Sequence, residues 1–563
     1  MTTIKKPKKQ KLRNAEYYDL QATFDKLYLE SKNGKTFTKI MPIILSENNI
    51  RLAYRNLKRN SGSKTAGTDN KTIKDLETWK EPDLVRYVRK RLEWYIPQPV
   101  RRVEIAKDNG KTRPLGIPTI QDRLIQQCFL QVLEPICEAK FHDRSFGFRP
   151  NRSQENAVAV AYSLMQIQHL HFVVDLDIKG FFDNVSHGKL LRQMWSLGIR
   201  DKTVLSILSA MLKAEVAGIG FPEKGTPQGG IISPLLSNIV LNELDWWISS
   251  QWETMPMRKN YVRTRKDNGV AEKTYAYKVL REKSRLKECY GLRYADDFRI
   301  FCRRRQDAEK LFIATQKWLK ERLGLDISPE KSQIVNLKRK YSEFLGFKMM
   351  VKPNGKSGSK TRYTVVSHVS EKRKKKIKKR ASELVAKIKF PADKFEEHKF
   401  IMDYNSYVMG IHNYYSMATH ANQDFSEIGF SVKRTMKCRI GQRLKKSGNS
   451  LPQYVQEKYG RSKELRYIRG LFVLPISYVQ TRAPKHRPRN WCVYTPEGRA
   501  QVHKSLEKVN LSILHYLMEH PVPSESIEYN DNRLALYCAQ QGKCAVTGAP
   551  LKIGDVHCHH KTR

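Results

Sequence analysis

Leu292-Arg293-Tyr294-Ala295-Asp296-Asp297-Phe298-Arg299-Ile300-Phe301-Cys302 reads as two short strands joined by a tight turn with a two-residue acidic tip, because β-branched and aromatic residues flank a carboxylate pair. Two carboxylates side by side at an apex repel each other, and a divalent metal ion is the simplest partner for both. The pair is the only Asp-Asp in the chain. One doublet arises easily by chance, so weight falls on a third carboxylate upstream. His171-Phe172-Val173-Val174-Asp175-Leu176-Asp177 has the pattern of a buried strand emerging at Asp177. It is followed by Ile178-Lys179-Gly180-Phe181-Phe182-Asp183, a glycine-permitted turn into a helix. If that strand lies beside the hairpin, Asp177, Asp296 and Asp297 converge as the ligand set of a two-metal phosphoryl-transfer site, with ions roughly 3.5–4 Å apart. Asp175 and Asp183 stand in reserve. Asp175 shares a strand face with Asp177, and Asp183 reads as a helix-start carboxylate.

Composition points the same way. The 563 residues carry 104 Lys and Arg against 56 acids, a formal charge of +48, with a sequence pI near 9.9. Self-repulsion on that scale calls for a polyanion, so nucleic acid is the expected partner rather than a merely lysine-rich solvated surface. No run of eighteen apolar residues exists, which excludes a membrane span. The start, with its lysines and no apolar stretch behind them, is not a secretory signal. Nine cysteines, odd in number and mostly far apart, do not make a disulfide framework and fit a reducing compartment. No repeat of fixed period is present.

Outside the acidic motifs, Pro97 to Lys107 alternates as an extended strand, Asp108-Asn109-Gly110-Lys111 is a hairpin turn, and Thr112 to Pro118 leads back. Cations at the mouth of such a hairpin can clamp a triphosphate. Residues 141–153 mix Phe with Arg, a pattern for stacking on bases and holding phosphates. Ser153-Gln154-Glu155-Asn156 reads as a helix N-cap with its first turn. Residues 225–238 open a helix after a Gly-Thr-Pro turn, with Gln228 near the helix start placed to touch a templating or incoming nucleotide. Ala308 to Leu323 is an amphipathic helix, Gly324 to Ser332 a strand ending in a turn, and residues 344–347 a short apolar strand. Three helices follow, with apolar faces at Ile377, Ala381, Leu384, Val385 and Ile388, at Ile401, Tyr404, Val408, Ile411 and Tyr415, and at Phe425, Ile428, Val432, Met436 and Ile440.

Tyr294-Ala295-Asp296-Asp297, the Asp177 to Asp183 run and Gly225-Thr226-Pro227-Gln228-Gly229-Gly230-Ile231-Ile232-Ser233-Pro234-Leu235-Leu236-Ser237-Asn238, in this order and spacing, resemble the reverse transcriptases encoded within bacterial group II introns. Tyr404-Asn405-Ser406 through Gly410-Ile411-His412-Asn413-Tyr414-Tyr415 is close to the maturase signature of these proteins. The resemblance implies an α+β, right-hand-like fold of fingers and palm with an antiparallel palm sheet, followed by an all-α thumb and a basic DNA-binding region. The divisions it implies are a basic tail (1–39), fingers with an N-terminal extension (40–170), a palm with an insertion near 255–290 (171–370), a thumb or maturase domain (371–450), a DNA-binding region (451–530) and a truncated HNH endonuclease-like segment (531–563). It also implies that Asp177, Asp296 and Asp297 are catalytic and hold two Mg²⁺ ions, one at the primer 3′-hydroxyl and one at pyrophosphate. Arg113, with Lys107 or Lys111, would bind the deoxynucleoside triphosphate, and Phe182 would exclude a 2′-hydroxyl. In the tail, Cys544, His559 and His560 resemble part of an HNH site, with His559 or His560 as general base. Cys544 to Thr547 departs from the usual Cys-x-x-Cys, which leaves zinc or another divalent metal open, and the expected nuclease is incomplete. The implied activity is RNA-directed DNA synthesis with maturation of the host intron and its insertion into DNA. The partners are intron RNA, primer and DNA target, with no membrane, in the bacterial cytoplasm as a ribonucleoprotein; a homodimer stays open. Two alternatives remain: an RNA-binding maturase without active polymerase, and another bacterial reverse transcriptase lineage.

Overall fold

Four strands form the sheet that positions the acidic motifs. In spatial order they are Cys289–Tyr294, Asp297–Cys302, Phe172–Leu176 and Gln333–Asn336, each pair antiparallel. The structure, a computed structural model, describes residues 14–106, 112–257, 259–265, 271–488, 491–502, 510–544, 547–554, 556 and 558. Val173, Val174, Asp175 and Leu176 are all buried. Successive strand residues face opposite ways, so both faces of this strand are covered. The helix Arg305–Trp318 packs on the two central strands, and helices Gln154–Gln166 and Ser233–Ser250 pack on Cys289–Tyr294. Ser153 caps the first of these reciprocally: its Oγ accepts from the Asn156 amide, and Asn156 Oδ1 accepts from the Ser153 amide.

The N-terminal region is built on the helix Ile120–Glu138, which is buried on nearly every side, glutamines included. Helices Gln21–Lys32 and Glu47–Lys58 pack against it. Arg101–Ala106 and Thr112–Ile117 pair antiparallel as a hairpin. Its turn, and Lys107 and Lys111 with it, lies outside the described residues.

Glu371–Lys389, Lys394–Tyr415 and Ala421–Ile440 are the three helices read from periodicity. Ile377, Ala381, Leu384, Val385, Ile388, Ile401, Tyr404, Val408, Phe425, Ile428 and Val432 are buried between them and their neighbours. Each Ile, Leu, Val or Phe among them contributes about 1.5–3 kcal/mol on burial. Asn405 and His412, both in the signature segment, face inward. Asn405 Nδ2 donates to the Phe472 carbonyl at 2.8 Å and its Oδ1 accepts from the Leu474 amide at 2.9 Å, while His412 Nε2 lies 2.9 Å from the Ile476 carbonyl. The hairpin Arg466–Ile468/Leu471–Val473 is therefore sewn to these helices, and the boundary drawn at 450/451 is no seam in the packing.

Several expectations are corrected. Residues 344–347 are not a strand: Leu345 (φ 52°) and Gly346 (φ 83°) both take left-handed backbone, forming a two-residue turn between Phe344 and Phe347. The long hairpin Phe347–Ser357/Lys360–Val369 follows. After Ile327 the chain turns first and only then enters the strand Gln333–Asn336, so the turn precedes the strand. The helix after the Gly-Thr-Pro turn begins at Ser233, which leaves Gln228 in the preceding loop. The insertion near 255–290, whose sequence has some helical character, needs no such correction: it contains the helix Thr274–Lys283.

The chain beyond 476 returns across the molecule. Arg482 pairs with Glu155, Asn156 Nδ2 donates to the Lys485 carbonyl at 3.0 Å, and Tyr494 donates to Glu134 at 2.7 Å. The helix Ile527–Ala539 then docks on Glu47–Lys58: Asp531 takes Arg55 and the Tyr18 hydroxyl, and Glu528 takes Lys58 and the Tyr54 hydroxyl. The division drawn at 530/531 falls inside this helix. Among the described residues no helix is long and apolar enough to cross a membrane, and no two cysteines are joined by a disulfide.

Candidate functional site

The hairpin turns on Ala295 and Asp296, with Tyr294 and Asp297 as its closing pair. The acidic tip is thus split, with Asp296 in the turn and Asp297 heading the second strand. Phe298 opposes Leu176 in the neighbouring strand, so Asp177, one residue on, arrives beside Asp297. A cleft of about 610 Å³ is lined by Asp175, Asp177, Asp296, Asp297, Arg299, Lys331, Gln333, Tyr341 and Glu343. The structure brings the three carboxylates of the sequence reading into one cavity.

Ala295 holds a φ of +58°, a conformation that costs a residue with a Cβ about 1–3 kcal/mol and persists only where its surroundings enforce it. Here they do. Arg293 is 1% exposed. It forks onto Asp245 (Nε to Oδ1 2.9 Å, Nη2 to Oδ2 2.6 Å), while Nη1 donates to Asn238 Oδ1 at 2.9 Å and to the Ala295 carbonyl at 2.8 Å. From the other side the aromatic-basic block lies along the hairpin edge: the Phe146 amide donates to the Arg293 carbonyl, and the Arg293 amide to the Arg144 carbonyl. Gly147 lies so close that a Cβ there would sit 2.3 Å from the Ala295 nitrogen.

Two cations touch the acids. Lys331 Nζ lies 2.8 Å from Asp177 Oδ2, with 60% of the lysine side chain exposed. Arg299 is built in: it pairs with Asp175 Oδ1 at 2.7 Å and with Asp297 Oδ1 at 2.5 Å, and its Nη2 donates to the Glu343 carbonyl at 2.6 Å. Burial pushes the Asp175 carboxyl up to about 6, against the pull of Arg299 and the Ser342 hydroxyl. Asp297 keeps 36% of its side chain open to the cleft. Desolvation still raises its pKa, Arg299 opposes that rise, and the negative charges of Asp296 and Asp177 add to it.

These acids therefore feel one another, and hard carboxylate oxygens partly open to solvent are the donors a hard divalent cation takes. The donor chemistry fits such an ion. Among the described residues no three His, Cys, Asp or Glu side chains are gathered closely enough to hold one ion, and Lys331 and Arg299 stand on two of the carboxylates.

The remaining sequence candidates fall elsewhere. Phe182 is partly buried against Phe181, and its carbonyl accepts from the Thr226 amide at 2.7 Å, so it adjoins the 225–228 loop. Gln228 lines a neighbouring apolar cavity with Gly116, Phe221 and Pro227, and donates to Asp183 Oδ1 at 3.1 Å. Asp183 is held there and is absent from the carboxylate cleft. Arg113 opposes Ile105 in the N-terminal hairpin. The Cys544 carbonyl accepts from the Gly548 amide at 2.9 Å; His559 and His560 lie outside the described residues.

Sequence reasoning missed Arg293 and Arg299. The signal was present: each is a guanidinium inside a strand otherwise apolar enough to be buried, and a buried cation needs a partner. Lys331 and Tyr341 reach the cleft from the segments just before the strands Gln333–Asn336 and Ser342–Phe344, Gln333 and Glu343 from those strands themselves, and none of the four carried a local mark.

A helix-backed sheet that collects carboxylates from two separated motifs suits phosphoryl transfer, and the class is fixed by a family model described as Reverse transcriptase (RNA-dependent DNA polymerase), which matches residues 105–349, a span containing all three acids. Reverse transcriptases generally use divalent metal ions such as Mg²⁺. Group II intron-encoded protein LtrA of Lactococcus lactis subsp. cremoris is 31% identical over 451 residues, 70% of this chain and 74% of LtrA. A putative COX1/OXI3 intron 2 protein of Saccharomyces cerevisiae is 28% identical over 358 residues, 58% of this chain and 41% of that protein. Nuclear intron maturase 2, mitochondrial, of Arabidopsis thaliana is 25% identical over 214 residues, 29% of this chain and 28% of its own. The chain belongs to the group II intron-encoded proteins, RNA-directed DNA polymerases with maturase function.

Proposed function

We propose that the cleft between Asp177 and the Tyr294 to Asp297 hairpin is the polymerase site, and that the protein copies its own intron RNA into DNA after helping that RNA to splice and to enter a DNA target. The observation that carries this reading is the meeting of Asp177, Asp296 and Asp297 in one cavity within the reverse-transcriptase span. Two Mg²⁺ ions held there by the three carboxylates would supply activation of the primer hydroxyl and charge stabilisation of the leaving pyrophosphate. The chain's own residues do the rest. Arg293 and Gly147 fix the turn, and the two central strands fix the spacing between acids. Phe182, beside the 225–228 loop, restricts the sugar, and Arg113 with Lys107 or Lys111 receives the triphosphate.

In this reading the N-terminal hairpin and helices act as fingers, the four-stranded sheet as palm, and the three helices from Glu371 as thumb. Lys375, Lys379 and Arg380 lie on the exposed face of the first thumb helix, where they suit an RNA backbone. The basic, aromatic run at 482–494 contributes DNA contact, and Cys544, His559 and His560 belong to the nuclease-like tail. The working form is a ribonucleoprotein in a bacterial cytoplasm.

The test separates synthesis from splicing. Asp296→Ala with Asp297→Ala should abolish cDNA synthesis on an RNA template and leave intron splicing largely intact. Equal loss of both would make the acids structural and remove the reading.

A further inference from the structure

We propose that Arg299 is a positioning residue for polymerisation: it fixes the Asp297 carboxylate by holding one of its oxygens from an anchor in the adjacent strands. This rests on the reading of Asp297 as a cation-binding acid. Arg299 and Asp175 are direct partners across the antiparallel strands, and their charges meet at 2.7 Å. From there Nη1 reaches Asp297 Oδ1 at 2.5 Å and Nη2 reaches the Glu343 carbonyl at 2.6 Å. The guanidinium lies over the Phe344 ring, 5.4 Å from its centroid. Asp175 is itself fixed, 5% exposed and bonded by the Ser342 hydroxyl at 2.9 Å.

The consequence is geometric. The planar guanidinium donates through Nη1 to Asp297 and through Nη2 to the Glu343 carbonyl while its Nε stands in ion-pair contact with Asp175, a spread of directions that a lysine ammonium on a flexible stem cannot reproduce. The contact at Asp297 is to Oδ1, which leaves Oδ2 to the cleft. Ser342, Glu343 and Phe344 form the strand that pairs with Phe347–Ser357. The Leu345–Gly346 turn joining those strands is in turn held by Tyr414, whose hydroxyl donates to the Leu345 carbonyl at 2.9 Å. Arg299 thus ties an acid of the reaction to the element on which the three-helix unit rests. Lys331 does not compete for this role, because its side chain is mostly in solvent.

The test uses the full-length protein with Arg299→Lys, Arg299→Met and Asp175→Asn. Bound Tb³⁺ is read by its luminescence and displaced with Mg²⁺, and primer extension on an RNA template is followed against Mg²⁺ concentration. Partners of this kind are worth about 10–100-fold in metal affinity. Both Arg299 variants should raise the Mg²⁺ needed for half-maximal displacement and extension by about tenfold or more, with the triphosphate KM at saturating Mg²⁺ unchanged. Asp175→Asn should move in the same direction. Failure of lysine to rescue is the signature of geometry over charge. A wild-type Arg299→Lys, or a lowered Mg²⁺ requirement of the kind a merely repulsive cation would give on removal, overturns the proposal. Should Arg299→Met not fold, Arg299→Lys and Asp175→Asn decide. Asp297→Ala separates the two levels: if it keeps both terbium signal and synthesis, the polymerase reading fails. If it loses both while the Arg299 variants match wild type, only the role of Arg299 fails.

Discussion

Gly147→Ala tests whether the aromatic-basic block sets the position of the acidic turn. Gly147 does not have positive φ, so alanine brings no backbone strain there. What it brings is a methyl 2.3 Å from the Ala295 nitrogen, 2.9 Å from its Cα and 3.0 Å from its Cβ. An ordinary contact begins at 3.4 Å, so turn and block must separate by about 1.1 Å (3.4 less 2.3). Arg293 resists from the far side, holding the Ala295 carbonyl while locked to Asp245. The displacement therefore falls on Asp296 and Asp297. A shift near 1 Å in a reacting group costs about a hundredfold in rate, or about 2.7 kcal/mol of barrier. Overpacking itself costs about 1–3 kcal/mol of stability. In single-turnover primer extension on an RNA template with saturating triphosphate and Mg²⁺, Gly147→Ala should be slower by about two orders of magnitude, with intron RNA affinity preserved. Gly188→Ala is the control, since nothing lies within 4 Å of its Cβ position. Extension by Gly147→Ala within about threefold of wild type would show that the turn is not positioned by this contact.

Two further outcomes follow from the packing. Phe182→Ala should lower discrimination against ribonucleotides by about tenfold or more, the scale a shape change in a pocket supplies; unchanged sugar selectivity in paired incorporation assays removes the gate. Glu134 gives a pH signature, because burial pushes its carboxyl from an ordinary 4.5 up to about 7 beneath Tyr494. The folded chain keeps a proton that the unfolded chain releases, so stability from this group is full below 4.5 and is lost as pH rises toward 7. Glu134→Gln should gain on wild type across that window, by about 3 kcal/mol at pH 8, and parallel melting curves from pH 4.5 to 8 would refute the assignment.

The sequence disclosed what is periodic or chemically conspicuous. Ile377, Ala381, Leu384 and Ile388 announce a helix because their spacing is local. Asp177 and the Asp296-Asp297 pair stand out because acids at the ends of apolar strands demand a reason. Residues 344–347 deceived because Phe-Leu-Gly-Phe has strand composition, while the backbone at Leu345 and Gly346 is decided by the hairpins on either side. The docking of Ile527–Ala539 on Glu47–Lys58 was invisible for a different reason: Arg55 and Asp531 are each unremarkable surface-type residues until the fold brings them together. Lys331 was hidden likewise, since it differs from a hundred other basic residues only in what it touches, whereas Arg299 sat inside an apolar strand where a cation asks for a partner.

That docking sets an order of events during synthesis. Tyr18 and Arg55 find their partner 513 and 476 residues later. At about 5–20 residues per second a ribosome needs about half a minute to a minute and a half to deliver Asp531 after Arg55 has been made. Once Ile440 has been made, late in that interval, the acidic cleft and the three helices can already be complete, while the first helices still wait with a tyrosine and an arginine unanswered. A nascent chain released before Asp531 is added would own every residue of the acidic cleft and still lack the clasp that closes its opening segment.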